Sequence, residues 1–334
     1  MALKWGICAA GKISNDFCSA LKTLPEAEHE IVAVAARDAS RAKEFGEKFG
    51  ATRFYGSYEE IAKDSGVDII YIGTIHTMHY PLSIMMLNAG KHVLCEKPMA
   101  MNLKQCREVL QLSKDKNLFF KEAVWSRSFP IYEQIRKEIA SGSLGDVNLV
   151  TAKFCIQIMN KERIKNNTLG GGCLLDIGIY PIQLAAMVFN ELPEKIIASS
   201  TVNKDGVDED GAVILRYKGG RMASLVYSGK THDLEHNRCS IHGTKGSIEI
   251  PANFWCPEEA FMPSGRYTND LPIGPVPYNF VNCGGLRYQA DNARKCIQAG
   301  KIECEAMSHR DSEILYTIID EIKSQIGLKY KDDE

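Results

Sequence analysis

Two pairs of polar residues in this sequence have side chains suited to proton transfer. The first is Glu96-Lys97, which follows an apolar run beginning at Lys91 and precedes Pro98. The run indicates a short buried strand that Pro98 ends, so the pair is predicted at the carboxyl end of a strand, where open α/β sheets bind ligands. A lysine in a partly covered cleft can have a lowered pKa or can stabilise a neighbouring phenolate. The structural alternative is a solvated ion pair at a strand exit.

The second pair is Asp176 and Tyr180, four residues apart after a glycine-rich stretch, Thr168 to Gly172, that is expected to be a flexible breaker. On a helix the two side chains share one face, and a carboxylate beside a phenol can transfer protons. The alternative makes Asp176 a helix cap and Tyr180 a packing residue. A free phenol has a pKa near ~10, so Tyr180 needs a cation such as Lys97 to act as a base. We predict that Lys97 and Tyr180 work together, with either one as the direct proton acceptor.

The elements that must position these residues alternate between strand and helix up to residue 124. Short helices separate the predicted strands, one of them opened by a Ser57–Glu60 capping box, and this order predicts a doubly wound parallel sheet. From Lys195 onward, strands separated by glycine turns predict an antiparallel meander. The fold class is therefore α/β: a Rossmann domain over residues 1–124, then an α/β domain over 125–334 with a large, mostly antiparallel, open-faced sheet. The predicted strands of the first domain are Leu3 to Ala9, Glu30 to Ala36, Val67 to Gly73, Lys91 to Pro98 and Leu118 to Ala123.

The first strand is followed by a small-residue turn and a helix, the beginning of a dinucleotide-binding unit. Gly11 fills the central glycine position, whereas Ala9 and Ser14 stand at the outer positions. At the end of the second strand, where NAD enzymes carry an acidic residue for the ribose 2′-hydroxyl, this chain has Arg37, and Arg41 follows one helical turn later. A guanidinium pairs with a 2′-phosphate and offers the 2′-hydroxyl no acceptor, so the predicted cofactor is NADP.

Two histidines lie in the stretch that follows the strand ending at Gly73. His76 and His79 have a spacing that metal sites also use, but no third ligand follows them. We therefore predict a loop from Thr74 to His79 that contacts the cofactor, and no metal.

The second half contains aromatic residues that suit a ring-shaped substrate. Phe254 to Phe280 is rich in proline, glycine and aromatics and is predicted to be an irregular loop over a cleft. An exposed sheet face predicts a homodimer formed through it. The predicted pocket residues are Trp125, Phe154, Trp255 and Phe280, each with packing in a core as the alternative.

The composition and net charge of the chain give no support to some classes of function, namely nucleic-acid and membrane-surface binding. The chain has 334 residues, a formal net charge of -2, 45% hydrophobic and 25% charged residues, which is an ordinary globular composition without an electrostatic case for nucleic acid or an acidic membrane surface. We expect no apolar run of membrane-spanning length and no secretion signal. The eleven cysteines include no C-x-x-C pair, so reduced thiols and a cytoplasmic protein are expected.

Taken together, these motifs resemble the glucose–fructose oxidoreductase and inositol dehydrogenase (Gfo/Idh/MocA) family over nearly the whole chain. Within it, the sequence is most similar to the branch of dimeric dihydrodiol dehydrogenases, which are also NADP-dependent D-xylose dehydrogenases. The motifs that carry the resemblance are Gly6 to Ile13, Arg37-Asp38, Thr74 to His79, Ala89 to Val93, Glu96-Lys97-Pro98, Trp125 to Pro130 and Gly170 to Pro181.

The resemblance implies roles for individual residues. Lys97 and Tyr180 become the catalytic pair with Asp176 beside them, and Asp176 and Tyr180 join the four aromatic residues in the substrate pocket. Many relatives carry asparagine at the position of His76 and histidine at that of Tyr180, which leaves the role of His76 open. The implied cofactor-binding residues are Ala9, Gly11, Lys12, Ile13, Arg37, Asp38, Arg41, Thr74, His76, His79, Glu96, Lys97, Trp125 and Arg127.

Three functions are compatible with these observations. The leading one is NADP-dependent oxidation of trans-dihydrodiols of arenes to catechols and of D-xylose to xylonolactone. A second is an oxidoreductase of another sugar, carbonyl or imine on the same fold, because fold does not dictate substrate. A third is a non-catalytic NADP-sensing regulator, which would have no need of the base formed by Lys97 and Tyr180.

Overall fold

The protein is described by a computed structural model that covers residues 1–333. It divides into two compact units, and neither is continuous in sequence. The first comprises Met1–Ala100, Lys104–Ser128 and Leu271–His309; the second comprises Met101–Leu103, Phe129–Asp270 and the chain from Arg310 onward. This division differs from the predicted single boundary after residue 124, because residues 271–309 return to the first unit and pack on its first helix.

The first unit is built around a six-stranded parallel sheet, as predicted. Its strand order is β3-β2-β1-β4-β5-β6, so the direction of winding reverses between β1 and β4. The strands are β1 (Leu3–Cys8), β2 (His29–Ala35), β3 (Arg53–Tyr55), β4 (Ile69–Ile72), β5 (His92–Glu96) and β6 (Phe120–Ala123). The helices are α1 (Lys12–Leu21), α2 (Ala39–Glu47), α3 (Tyr58–Ala62), α4 (His76–Asn88), α5 (Leu103–Lys116) and, after the second unit's sheet, α9 (Leu286–Gln298).

Local sequence explains these elements. The strands are almost wholly buried because helices cover both faces of the sheet. At Gly6 an added Cβ would lie 2.6 Å from Ile70 Cδ1, so only glycine lets β1 and its neighbours pack this closely. The capping box at α3 is formed as predicted, with Ser57 accepting from the Glu60 backbone N–H and Glu60 accepting in return.

The second unit is built around an eight-stranded sheet of order β14-β13-β12-β11-β7-β10-β9-β8. Every pair is antiparallel except β7 with β10, which confirms a mostly antiparallel sheet. Its strands are β7 (Val147–Cys155), β8 (Lys195–Ser199), β9 (Asp210–Arg216), β10 (Met222–Ser228), β11 (Cys239–Gly243), β12 (Ser247–Ile250), β13 (Glu259–Met262) and β14 (Gly265–Thr268). Its helices are α6 (Pro130–Ala140), α7 (Glu162–Lys165), α8 (Ile179–Phe189) and α10 (His309–Ile326).

Two stretches of this unit are more ordered than predicted. The segment expected to be an irregular loop contains the β13–β14 hairpin, whose Arg266 pairs with Glu259. The charged composition of Lys329 to Glu334 predicts a frayed end. In the structure this stretch is fixed at Tyr330, whose hydroxyl donates to the Gly171 carbonyl at 2.6 Å, and at Asp333, which accepts from Lys323 Nζ at 2.6 Å. Glu334, also part of that expectation, lies outside the described residues.

One segment has the length and composition of a membrane span, contrary to expectation. Asn167–Phe189 reaches a mean hydropathy of 1.6, but 89% of the apolar window is buried inside the structure. Helix α8 packs on the sheet through β7 and β10, and a helix enclosed by its own domain is apolar all round. Core packing therefore accounts for the apolarity of this segment.

Candidate active site

The predicted cofactor residues follow the carboxyl ends of five parallel strands. Strands β1, β2, β4, β5 and β6 end at Cys8, Ala35, Ile72, Glu96 and Ala123, and all five ends meet at one edge of the sheet. The crevice between β1 and β4, where the winding reverses, is the place where such sheets bind ligands. The strand ends predicted from the sequence therefore lie together at this edge, and cofactor binding there stays a prediction.

The turn after β1 has the shape of a phosphate-binding turn despite its missing glycines. Ala9 adopts φ +82°, a left-handed conformation that costs a residue with a Cβ of order 1–2 kcal/mol. Ser14 is fully buried because Gly73 faces it: a Cβ on Gly73 would lie 2.5 Å from Ser14 Oγ. In the usual fingerprint the third glycine lets the helix pack closely on the strand. Here Gly73, directly after β4, leaves the space that Ser14 of α1 needs.

Helix α1 begins at this turn with free backbone donors. Its N-cap, Gly11, provides no side-chain hydrogen bond, and a Cβ at Gly11 would meet only the Gly73 carbonyl oxygen, 3.8 Å away. The N–H groups of the first turn, which includes Lys12 and Ile13, are thus left to an external acceptor, and space lies in front of them. The arrangement suits the pyrophosphate of a dinucleotide.

The residues after β2 form a cationic corner. Asp38 is the N-cap of α2, where it accepts from the Ser40 N–H at 2.8 Å and the Ser40 hydroxyl at 2.9 Å, and these hydrogen bonds lower the pKa of Asp38. Arg41 donates to the Ala10 carbonyl at 3.3 Å, which brings its guanidinium next to the phosphate turn. Arg37 is exposed. The corner thus offers two guanidinium groups beside a carboxylate that is already hydrogen-bonded to Ser40.

The two histidines differ from the prediction, because α4 begins at His76 and no loop continues to His79. Both ring nitrogens of His79 face carbonyl oxygens, that of Pro98 at 2.7 Å and that of Thr74 at 3.2 Å. Burial lowers the pKa of His79 to about 4, so the ring is neutral at physiological pH and its single N–H donates to one of these two carbonyls. Both ring nitrogens of His79 therefore face the protein backbone, and neither is directed at a cofactor. The His76 ring lies beside that of His79, with ring centroids 5.9 Å apart.

Glu96 and Lys97 lie where the strand pattern placed them. Glu96 is buried and accepts from the Tyr71 hydroxyl at 2.8 Å, while Lys97 is half-buried just beyond β5. Burial raises the pKa of Glu96 to about 7, against the opposing effects of the Tyr71 hydrogen bond and the Lys97 charge. Glu96 and Lys97 are therefore not a solvated ion pair at a strand exit. Glu96 holds a proton near neutral pH, and Lys97 is a partly covered cation. Trp125 and Arg127 follow β6 in a buried 3-10 turn.

Asp176 is held by a residue that sequence analysis missed. The side chain lies in a π-helical segment, Leu174–Gly178, that precedes α8, and it accepts from Arg163 through both oxygens, Oδ1 to Nη1 at 2.7 Å and Oδ2 to Nη2 at 3.2 Å. Asp176 is therefore an ion-pair partner and no helix cap. Arg163 lies thirteen residues upstream, across a glycine turn, and no periodicity in the sequence links the two.

The glycine stretch before Asp176 is a tightly packed turn, where a flexible breaker was expected. A Cβ on Gly171 would lie 2.5 Å from the Ile164 carbonyl oxygen and 2.7 Å from that of Asn166. The Gly172 N–H donates to the Ile164 carbonyl at 2.9 Å. Glycine is required because the backbone of α7 lies directly against the turn, and this contact brings Arg163 to Asp176.

Three predicted substrate residues come together in the second unit. Phe154 stacks on Trp255 with ring centroids 3.9 Å apart and an angle of 14°, and its centroid lies 5.6 Å from that of Tyr180. All three side chains are buried. Tyr180 thus has an aromatic neighbour on one side and belongs to the helix that continues from Asp176.

Phe280 and Trp125 belong to the first unit. The carboxylate of Asp16, buried in α1, accepts from the Asn279 N–H at 2.8 Å and the Phe280 N–H at 2.9 Å, and Asn279 Nδ2 donates to the Lys12 carbonyl at 3.3 Å. Phe280 is therefore fixed beside the phosphate turn with 41% of its surface exposed. Sequence analysis did not identify Asp16 as this anchor, since a contact over 264 residues has no local signal.

One group of side chains has the composition of a metal site, namely Glu28, His29 and Asp291, whose ligand atoms lie within 4.8 Å of one another. His29 Nδ1 accepts from the Trp5 indole N–H at 3.2 Å, so Nε2 of the neutral ring carries the hydrogen and has no lone pair for a metal. Arg294, 3.8 Å from Glu28, already supplies positive charge. These contacts describe a partly buried polar cluster and do not support a metal centre.

Comparison with known proteins connects these units to one family. Residues 3–123 match the oxidoreductase family with an NAD-binding Rossmann fold, and residues 132–249 match the GFO/IDH/MocA C-terminal domain. A protein of Xenopus tropicalis named trans-1,2-dihydrobenzene-1,2-diol dehydrogenase is 44% identical over 331 residues, covering 99% of this chain and 100% of the relative.

Two solved structures share the fold. The 3-ketoreductase KijD10 of Actinomadura kijaniata, in complex with NADP and TDP-benzene, has a TM-score of 0.80 at 22% identity and covers 98% of both chains. A levoglucosan dehydrogenase in complex with NADH and levoglucosan has a TM-score of 0.83 at 21% identity and also covers 98% of both chains. Cofactors with and without the 2′-phosphate both occur in these neighbours, so the fold does not decide between NADP and NAD.

Glu96 makes the stability of the protein depend on pH in a way that Glu96→Gln should remove. Its pKa rises from 4.5 to about 7 on folding, so between these values the native state binds more protons than the unfolded state and stability falls as pH rises. The groups facing Glu96 are Tyr71, Lys97 and Gln289. We expect wild type to lose roughly 3 kcal/mol relative to Glu96→Gln between about pH 4 and pH 8, measured by urea unfolding.

The matched control is Glu305→Gln, an exposed position in the same unit. Asp208, another buried carboxyl whose pKa is raised to about 7 by burial, is present in all three proteins and cancels in the difference. Identical pH slopes for wild type and Glu96→Gln would show that Glu96 is ionised in the folded protein.

Proposed function

The chain belongs to the GFO/IDH/MocA oxidoreductase family, and from that premise we propose that it oxidises neutral diols and aldoses with NADP, converting trans-dihydrodiols of aromatic hydrocarbons to catechols and D-xylose to xylonolactone. The observation that carries this proposal is the half-buried Lys97 at the strand end of a unit with an open phosphate turn. The relatives named trans-1,2-dihydrobenzene-1,2-diol dehydrogenase, at 39% to 45% identity over the full chain, support the diol substrate.

The side chains and backbone of the first unit fit a dinucleotide phosphate. The uncapped start of α1 at Gly11 would bind the pyrophosphate, and Arg37 and Arg41 would bind the 2′-phosphate. The turns at Thr74 and Lys97 would lie along the nicotinamide. When bound, NADP supplies the hydride acceptor of the reaction.

The protein supplies the proton acceptor and the orientation of the alcohol. Tyr180 takes the proton of the reacting hydroxyl, and the Lys97 ammonium favours the phenolate that makes this possible. The aromatic cluster of Phe154 and Trp255, together with Trp125 and Phe280, would exclude water and hold a ring-shaped substrate. Lys97 as direct acceptor, with Tyr180 as its orienting partner, is the alternative within the same mechanism.

The open face of the second sheet supports a homodimer. Ile197, Val226 and Phe261 point from this face with 47%, 40% and 45% of their surface exposed, whereas the opposite face is buried. Three large apolar side chains on one sheet face suit contact with the same face of a second copy. None of the eleven cysteines, all of which lie within residues 1–333, is in a disulfide, which supports a reducing, cytoplasmic location.

Tyr180→Phe and Lys97→Met should each lower kcat for a benzene dihydrodiol by about 10²- to 10⁴-fold, because each variant removes part of the base. Binding of NADPH, followed by its fluorescence, should remain within about twofold of wild type, since neither change touches the phosphate turn.

Tyr267→Phe and Lys195→Met are matched controls on the second sheet. Full activity in either active-site variant would refute the assignment. If the wild type binds NADPH but shows no activity on diols, aldoses or their ketones, the alternative of a non-catalytic NADP-sensing regulator would be favoured.

The double variant Arg37→Ser/Arg41→Ser should raise KM for NADP by roughly 10- to 100-fold while leaving KM for NAD within about threefold, because the charge-assisted bonds to the 2′-phosphate are lost. Initial rates with both cofactors on D-xylose measure the effect, and Arg216→Ser, on an exposed strand of the other unit, is the control. An equal change for NADP and NAD would show that the two arginines do not select the cofactor.

Light scattering of the purified protein should give twice the mass of one chain. Val226→Asp should convert it to a monomer, since a buried carboxylate without a partner costs several kcal/mol, whereas Ile273→Asp, at an exposed apolar residue of the first unit, should remain dimeric. A monomeric wild type would exclude the dimer.

A further inference from the structure

The segment from residue 274 to residue 280, here called the strap, is held on helix α1 by side chains of that helix. The Ser19 hydroxyl accepts from the Val276 N–H at 3.1 Å and donates to the Val276 carbonyl at 2.5 Å. A Cβ on Gly274 would lie 2.8 Å from the Ser19 carbonyl oxygen, so only glycine allows this approach. The strap contains no helix or strand, and its course therefore depends on contacts of this kind.

The far end of the strap is bound by one buried carboxylate. Asp16 is fully buried and accepts from the Asn279 N–H through both oxygens, at 2.8 and 2.9 Å. It also accepts from Asn279 Nδ2 at 2.7 Å, from the Phe280 N–H at 2.9 Å and from Asn15 Nδ2 at 3.1 Å. All of these partners are N–H donors, which match a carboxylate because its oxygens offer about four acceptor positions. An amide in its place would turn its own N–H groups towards some of these donors.

The helix that carries Asp16 is itself fixed in the first unit. Phe17, the next residue, stacks on Tyr71 with ring centroids 3.8 Å apart and an angle of 3°, and the Tyr71 hydroxyl donates to Glu96 at 2.8 Å. Phe17 also meets Trp5 of β1 edge to face, with ring centroids 5.2 Å apart. Asp16 is therefore a rigid anchor, and movement of the strap away from it would leave buried polar groups without partners.

We propose that Asp16 is a positioning residue for substrate selection: by fixing the backbone of Phe280, it holds that ring against the apolar face of an arene dihydrodiol and so favours such a diol over an aldose. Phe280 keeps 41% of its surface exposed, and a ring on an unanchored strap would lose binding energy to the cost of ordering it.

The hydroxyl groups around a pentose ring leave less apolar surface for the same contact, so its binding depends less on Phe280. This inference rests on the proposed oxidation of diols and aldoses and names the residue that selects between them. Asp16 does not contact the substrate; it acts through the position of the Phe280 ring.

The test compares benzene trans-1,2-dihydrodiol with D-xylose in wild type, Asp16→Asn, Phe280→Ala and the double variant. In Asp16→Asn, KM for the dihydrodiol should rise about 5- to 10-fold, the size of one contact between rings. The kcat for both substrates, and KM for D-xylose and for NADP, should stay within about twofold. Phe280→Ala should have the same selective effect. The double variant should prefer the dihydrodiol as much as Phe280→Ala does, because the ring through which Asp16 acts is already absent.

Asp115→Asn is the matched control, because Asp115 is an exposed aspartate on α5 of the same unit. If Asp16→Asn does not fold, Asn279→Ala replaces it. This variant removes the donation from Asn279 Nδ2 to Asp16 and to the Lys12 carbonyl, and should lower the dihydrodiol preference about threefold, though not when Phe280→Ala is also present.

An unchanged preference in Asp16→Asn, or in Asn279→Ala where that variant replaces it, overturns the inference. A further loss in the double variant, or an equal loss for both substrates, assigns Asp16 a structural role only and also overturns it. If wild type oxidises neither substrate, tryptophan fluorescence measures the binding of catechol and of D-xylose to the NADP-loaded protein. A catechol preference that both Asp16→Asn and Phe280→Ala lose then upholds the inference while the proposed function fails. A preference that they keep, or no binding of either ligand, overturns it.

Discussion

A charged side chain can remain ionised inside this protein only where a fixed partner compensates for the water it has lost, and that constraint shapes the surroundings of the proposed functional residues in each unit. Asp176 has the guanidinium of Arg163, and Asp16 has the backbone N–H groups of Asn279 and Phe280. Glu96 shows the reverse case, because the Tyr71 hydroxyl and the Lys97 charge do not offset its burial and its pKa rises to about 7. Each partner also fixes a segment that carries a proposed functional residue. Burial and positioning therefore have the same physical cause here.

The residues that local patterns could identify are those at the ends of regular elements. The position of Lys97 beyond β5 and the capping box of α3 follow from apolar periodicity and turn chemistry, which depend on near neighbours in sequence. The uncapped start of α1 at Gly11 was likewise visible as a strand, a small-residue turn and a helix.

The residues that sequence reasoning missed act over long separations. Arg163 reaches Asp176 because glycines let α7 lie against the following turn, and Asp16 binds a segment more than 260 residues away, which is why residues 271–309 were assigned to the wrong half of the chain. For His79, the residue type alone predicts contact with the cofactor. Its actual contacts are set by its burial and by the two carbonyl groups beside its ring nitrogens. Contacts of this kind leave no local period or spacing in a single sequence.

The central claim is the proposed proton transfer, in which Tyr180 accepts the proton of the reacting hydroxyl and Lys97 assists it. A crystal structure of the protein with NADP and trans-cyclohexane-1,2-diol measures this most directly. We predict one diol oxygen within hydrogen-bonding distance of Tyr180 Oη, with Lys97 Nζ beside it. A diol bound with neither oxygen at these side chains, or with Lys97 and Tyr180 in separate pockets, would contradict the account.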